Sequence, residues 1–268
     1  MTSERSAAGD GASGRVRRTI DTLTVLAMSD LRSRYGRSGM KPLKWLLDPL
    51  AALGVYLVLI VFLVGRSEAA PGLSLACAIV PFQLVATGSM NAFKAITNRG
   101  TIITNMAFPR MLIPPSAVAT ETITSSASLV LLPTMMLIYG VAPTAAVLWL
   151  PVALAVTFVF TLALAYPFSL IGLWYPELQP FAVSVVRAAF FVAPGLVALD
   201  QISGASRDLL PLNPLTGLFE SFRDAVLYGH GPAAWELLSP LVAAALVLAV
   251  SVPIYRREQP YFAKLVSE

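Results

Sequence analysis

The feature that most restricts this chain is a series of apolar runs, each long enough to cross a lipid bilayer as a helix. A hydrocarbon core about 30 Å thick takes about 20 helical residues to span. Inside it, every backbone N–H and C=O must find its partner within the protein. Six runs meet that length, at about residues 45–64, 73–96, 112–139, 145–174, 181–199 and 237–255. The third and fourth are long enough to tilt. Composition agrees, because only 13% of residues are charged and mean hydropathy is +0.72, whereas soluble domains carry roughly 25% charged residues. The sequence therefore predicts an all-α integral membrane protein with six transmembrane helices. Prolines lie inside or beside the runs, at Pro81, Pro133, Pro151, Pro167 and Pro194, which points to bent or broken helices around a cavity.

The segments outside the spans divide the rest. Residues 1–16 are polar and Gly/Ser-rich and read as a disordered tail without a signal peptide. Residues 17–44 read as an N-terminal amphipathic interface helix. Ile20, Leu23, Ala27 and Leu31 recur at helical spacing on one face, with Arg17, Arg18, Asp21, Arg32 and Arg34 mainly on the other. The six-span domain then occupies 45–255 and a basic tail 256–268. Between spans five and six, the segments VAPGLVALDQI and NPLTGLFESFRDAVLYG are too apolar for a free loop. They read as re-entrant helices, an arrangement that lipid permits only where protein or a watery cavity surrounds the backbone.

Lys and Arg are distributed unevenly around the spans. If the N-terminus is cytoplasmic, that side holds the basic residues from Arg5 to Lys44, then Lys94, Arg99, Arg110, Arg256, Arg257 and Lys264. The other side keeps Arg66, Arg207 and Arg223, so both termini are expected in the cytoplasm. The basic residues sit at the ends of apolar runs, which is a membrane signal and not a nucleic-acid one.

No G-x-x-x-x-G-K-[ST], H-E-x-x-H or C-x-x-C occurs, so no motif for ATP or metal chemistry is present. The single histidine, His230, lies in a polar turn, and the single cysteine, Cys77, lies inside an apolar run. Ser203 lacks the G-x-S-G context of an intramembrane serine protease. Ionisable residues inside spans are functional candidates by default. Glu121 in the third span and Arg187 in the fifth lie at similar depth; the reading favoured here pairs them with each other, and the alternative has Glu121 line a polar conduit. Lys94 and Asp48 are near enough to the interface to snorkel or cap. Most span aromatics, Tyr56, Phe82 and Phe190 among them, read as packing or interfacial belt, and some can line a channel.

Four motifs in order give the chain a family resemblance. Residues 30–50 carry Asp30, Leu31, Arg34, Tyr35, Ser38, Pro42, Leu43, Leu46, Pro49 and Leu50. After the second span come Asn105, Phe108, Pro109, Arg110 and Pro114; in the last external segment come Leu212, Asn213, Pro214, Leu215 and Arg223; and the tail ends with Arg256, Arg257, Phe262 and Ala263. With six spans, this resembles the membrane subunit of type-two ABC exporters, in particular the Wzm-like polysaccharide permeases. The resemblance implies a dimer of this chain beside a cytoplasmic ABC ATPase dimer that binds ATP and Mg, with no cofactor on the chain itself. It implies export of a lipid-linked polysaccharide, O-antigen or cell-wall galactan in class, with galactan favoured by the Ala-, Val-, Pro- and Arg-rich composition.

By the same resemblance, residues 97–115 are the loop that seats in the ATPase, with Asn98, Arg99, Thr101, Thr104, Asn105, Phe108 and Arg110 as coupling residues. The turn 175–180 with Glu177 is a second contact. Here Pro176-Glu177 stands where many relatives have Arg-Asp, which removes that arginine's ion pair. Arg32, Arg34, Tyr35 and Arg37 of the interface helix face lipid headgroups or the ATPase, ranked ahead of the diphosphate of a lipid-linked sugar, and Tyr56, Glu121, Arg187, Asn213 and Arg223 are channel or gate candidates. Two other classes make demands of their own. A six-span secondary transporter or channel needs inverted repeats and midplane acids. A membrane-embedded transferase needs a loop cluster of acids, for which Glu220 and Asp224 are the candidates.

Overall fold

The structure is a computed structural model that describes residues 21–30, 47, 51, 54, 55, 58, 70–100, 103, 109–204 and 206–267. The first expected span therefore lies largely outside the described residues. So do Arg32, Arg34, Tyr35, Arg37, Tyr56, Thr101, Thr104, Asn105 and Phe108, and so do residues 1–16.

The described chain is helical, with no strand among the described residues. Residues 21–30 form α1. The remaining helices are α2 (Pro71–Ala95), α3 (Ile113–Ser125), α4 (Leu131–Tyr139), α5 (Leu150–Trp174), α6 (Gln179–Val192), α7 (Ser206–Leu209), α8 (Pro214–Arg223), α9 (Ala234–Glu258) and α10 (Phe262–Ser267). Four stretches are long and apolar enough to cross a membrane: Pro71–Ala95, Arg110–Tyr139, Ala145–Trp174 and Ala234–Tyr261. They match the second, third, fourth and sixth runs read from the sequence.

The third stretch tightens to a 3-10 turn over Ser126–Val130 between α3 and α4. The local sequence TITSSAS supplies the reason. Thr122, Thr124 and Ser126 turn their hydroxyls onto the carbonyls of Val118, Glu121 and Ile123 at 2.6–3.0 Å, and such back-bonding competes with regular helix geometry. The stretch ends at Gly140, whose φ of 68° caps α4 in the left-handed conformation.

α2 is the central helix. It packs along α5, α3, α8, α4 and α6, and it is apolar or small over most of its surface, as suits a helix enclosed by others. Lipid offers apolar side chains no less than a helix does, so close packing of small residues carries much of the association. At two points α2 and α5 nearly touch. A Cβ on Gly88 would lie 2.5 Å from Thr161 Cγ2, and one on Gly172 would lie 1.8 Å from the Phe93 carbonyl oxygen. Both glycines are therefore required by the approach of two backbones and not by turn geometry.

The fifth run corrects the expectation of a continuous span over 181–199. α6 has 14 residues, about 20 Å at helical rise, and stops at Val192. The physical cause is Pro194-Gly195, since proline supplies no N–H and disfavours helix at the residue before it. The expected helix in VAPGLVALDQI is likewise absent: residues 193–198 are non-helical and only Leu199–Gln201 makes a 3-10 turn. The second expected re-entrant segment is helical, as α8 and a π-helical turn over Asp224–Tyr228, and α8 is buried from Leu215 to Arg223.

Gly172→Ala should push α5 from α2 and destabilise the bundle by about 1–3 kcal/mol, the range for overpacking a filled core. Thermal unfolding in detergent by intrinsic fluorescence measures it. An unchanged midpoint would show that the two helices are free to separate.

Candidate functional site

At the end of the molecule that holds α1 and the C-terminal helix, the loop after α2 forms a junction. Asn98 is exposed and Arg99 is buried, 5% exposed. The Arg99 guanidinium pairs with the Asp30 carboxylate at the end of described α1, and its Nη1 donates to Ile113 O at 3.2 Å. α1 presents Leu26 and Ala27 inward, with Asp30 following on the same face, while Val25 and Met28 are exposed. One buried side chain thus joins the N-terminal helix to the start of α3. A buried arginine at such a place is expected to be paired and hydrogen-bonded, because its charge cannot be left unsatisfied. Arg110 is at the far side of the same loop, half-buried. Glu177 lies in the exposed 3-10 turn Pro176–Leu178 between α5 and α6.

Within the bundle, Glu121 is buried on α3, and its carboxylate accepts from Asn91 Nδ2 on α2. Its second oxygen accepts from Thr124 Oγ1 at 3.2 Å. No ion pair joins Glu121 to Arg187. α6 packs chiefly along α2, and Arg187 is on its exposed side with Phe181, Val185, Phe191 and Val192. The expected pairing is replaced by an amide, and a polar residue in an apolar run, Asn91, was the signal for it.

At the opposite end, Arg223 is fully buried. Its Nε donates to Ser74 Oγ at 3.1 Å, Nη1 donates to Glu220 Oε1 at 2.6 Å, and Nη1 and Nη2 reach Pro194 O and Gly195 O at 3.2 Å. Glu220 Oε1 also accepts from Leu199 N at 3.1 Å. Asn213 caps α8, its Oδ1 accepting from Leu215 N at 3.0 Å. Asn213 and Arg223, expected as gate residues, therefore hold this end in shape. Sequence reasoning singled out both and missed Ser74, whose hydroxyl in a run of small apolar residues gave no sign of a partner.

Asp224 lies beside the Glu236 carboxyl, with His230 Nδ1 at 3.4 Å from its Oδ2. Burial pushes the Asp224 carboxyl above its ordinary range; the nearby His230 and Glu236 work against the shift, and Glu220 adds to it. Among the described residues no group of His, Cys, Asp and Glu is arranged to hold a metal ion.

A bundle of membrane-length helices, with a tied loop junction at one end and a buried charge network at the other, defines a multi-pass membrane protein. No protein-family model matches the chain. It is similar to an O-antigen export system permease protein, RfbA, of Myxococcus xanthus, at 29% identity over 242 residues, covering 88% of this chain and 93% of the relative. Two O-antigen export system permease proteins RfbA of Klebsiella pneumoniae match at 25% identity over 249 residues, 92% of this chain and 95% of each relative. These matches support the resemblance to Wzm-like ABC exporter permeases read from the motifs.

Arg223→Met should destabilise the protein by about 3–5 kcal/mol, because it leaves Glu220 and the freed carbonyls buried without their donor. Arg223→Lys should restore only part, since one ammonium cannot reach Ser74, Pro194 and Gly195 together. Unfolding midpoints in detergent read both, and a wild-type midpoint for Arg223→Met would remove the guanidinium from the account. A second expectation concerns pH. The folded state holds the Asp224 proton more tightly than the unfolded chain does. Its contribution is therefore full below the ordinary aspartate value and is lost as pH rises through the raised one. The melting temperature should fall over that interval, and Asp224→Asn should remove this carboxyl's share of the decline.

Proposed function

We propose that this chain is the transmembrane subunit of an ATP-driven exporter that moves a lipid-linked polysaccharide from the cytoplasm across the inner membrane. It works as two copies beside a separate ABC ATPase dimer, which binds the ATP and Mg. The observation that carries this reading is the similarity to O-antigen export permeases over about nine tenths of the chain. Both termini lie in the cytoplasm, as the Lys and Arg asymmetry requires. Within the glycan class, cell-wall galactan is the narrower choice, on composition.

Residues 97–115 are the ATPase-coupling loop in this reading. Asn98 is exposed, as a contact residue must be, whereas Arg99 turns inward to Asp30 and Ile113. Arg99 therefore acts by making α1 and α3 move with the loop, and Glu177 offers a second contact. ATPase closure displaces the loop, and a packed two-state interface converts that shift into opening. The exposed face of α6, with Phe181, Val185, Phe191 and Arg187, faces the second copy and the path between copies. A lone arginine on such a face is costly against lipid and is accommodated beside water or an anionic group. The segment held by Arg223 closes the external exit.

Purified alone, the chain should hydrolyse no ATP. Co-expressed with an ABC ATPase from the same genome, the chain should co-purify with it as an active complex. An ATPase that never associates with the chain, under conditions that preserve related complexes, would sink this function.

A further inference from the structure

We infer that the C-terminal tail is a clamp on the coupling loop, and that Arg110 and Tyr255 are positioning residues in energy transfer rather than contacts of the ATPase. The inference rests on the exporter reading, but its geometry stands independently.

The turn where the loop re-enters the bundle, residues 109–113, receives donors from several elements. Tyr255 of α9 donates its hydroxyl to Arg110 O at 3.1 Å, and Tyr166 of α5 donates to Met111 O at 3.3 Å. Arg99 donates to Ile113 O at 3.2 Å. In return, Arg110 Nη1 donates to Gln259 O at 2.6 Å, with Pro260 O at 3.4 Å. Arg110 and Tyr255 thus tie the same turn to the same tail from both sides.

The tail is itself fixed. Tyr255 and Phe262 are fully buried, and their rings meet edge to face at 5.1 Å, with Tyr166 against Tyr255 at 5.2 Å. Such aromatic pairs add to burial and hold a defined geometry. A tail that only needed to leave the membrane would require none of this. Arg110 Nη1 is spent on backbone carbonyls of the tail, which aims the guanidinium at the tail rather than at a partner surface. The loop therefore has two internal supports: Arg99 links it to α1, and Arg110 with Tyr255 links it to α9. When the ATPase moves the loop, α9 must follow through this second support.

The test uses the complete complex in cells lacking the native gene, with three readouts: co-purification of the ATPase, ATP hydrolysis by the purified complex, and polysaccharide displayed on the cell surface. Tyr255→Phe removes one hydroxyl and little else. Arg110→Ala removes the guanidinium, Arg110→Lys keeps a donor of similar reach, and a chain ending at Glu258 removes the acceptors and Phe262. Tyr255→Phe, Arg110→Ala and the truncation should each leave assembly and hydrolysis near wild type and lower surface polysaccharide about fivefold. Arg110→Lys should recover much of the loss. Tyr255→Phe added to the truncation should cost nothing further, since groups in one network are not additive.

Wild-type export by Arg110→Ala and by the truncation overturns the clamp. Loss of ATPase co-purification in Arg110→Ala, with Tyr255→Phe normal, also overturns it and makes Arg110 a docking residue. If the wild-type chain itself recruits no ATPase and exports no polysaccharide, the exporter reading fails instead.

Discussion

The break after α6 depends on one guanidinium. Pro194 and Gly195 interrupt the fifth apolar run, and their carbonyls lie inside the protein without helical partners. Arg223 reaches both from α8, while Glu220 on the same helix neutralises it and accepts from Leu199 N. Non-helical backbone inside a membrane domain is tolerated only when its polar groups are satisfied by protein or water. Arg223 also reaches Ser74 near the start of the central helix. The broken run, the buried helix that follows it and α2 are therefore held as one unit at that end.

The bundle relies on shape at its centre. α2 and α5 approach so closely that Gly88 and Gly172 leave no room for a Cβ. Glu121 and Asn91 then join α3 to α2 by a buried polar contact. Packing of small residues and interhelical hydrogen bonds are the forces that remain when lipid is the solvent. At the opposite end, Arg99 and Arg110 do for the loop what Arg223 does for the break. Each turns its charge onto carbonyls or a carboxylate of a different element, so that segments far apart in sequence share one set of contacts.

Much of the site was legible, though in a coarser form than the structure gives. Arg99, Arg110, Asn213 and Arg223 stood out through the resemblance to exporter permeases, whose motifs or loop they occupy. Their orientation did not. Arg99, expected as a coupling residue of the loop, is buried against Asp30 and Ile113; Glu121 and Arg187 were expected to pair, and Glu121 is held by Asn91 and Thr124 instead. Depth along a span can be counted from residues, but azimuth depends on which helices become neighbours. The shortness of α6 had a visible cause in Pro194-Gly195, yet hydropathy counted the run as continuous because it registers apolarity and not backbone hydrogen bonding.

By itself the sequence determined that this is a helical membrane protein, where along the chain four of its membrane-length helices lie, and which family it resembles. These follow from the length of apolar runs, from Gly and Pro at helix ends, and from motifs that lie within single segments. Tertiary structure alone decided that Arg223 and Ser74 meet and that the C-terminal tail grips the loop after α2. Each of those pairings joins residues separated by many tens of positions. Their formation depends on how helices pack around α2, and local periodicity contains no term for that.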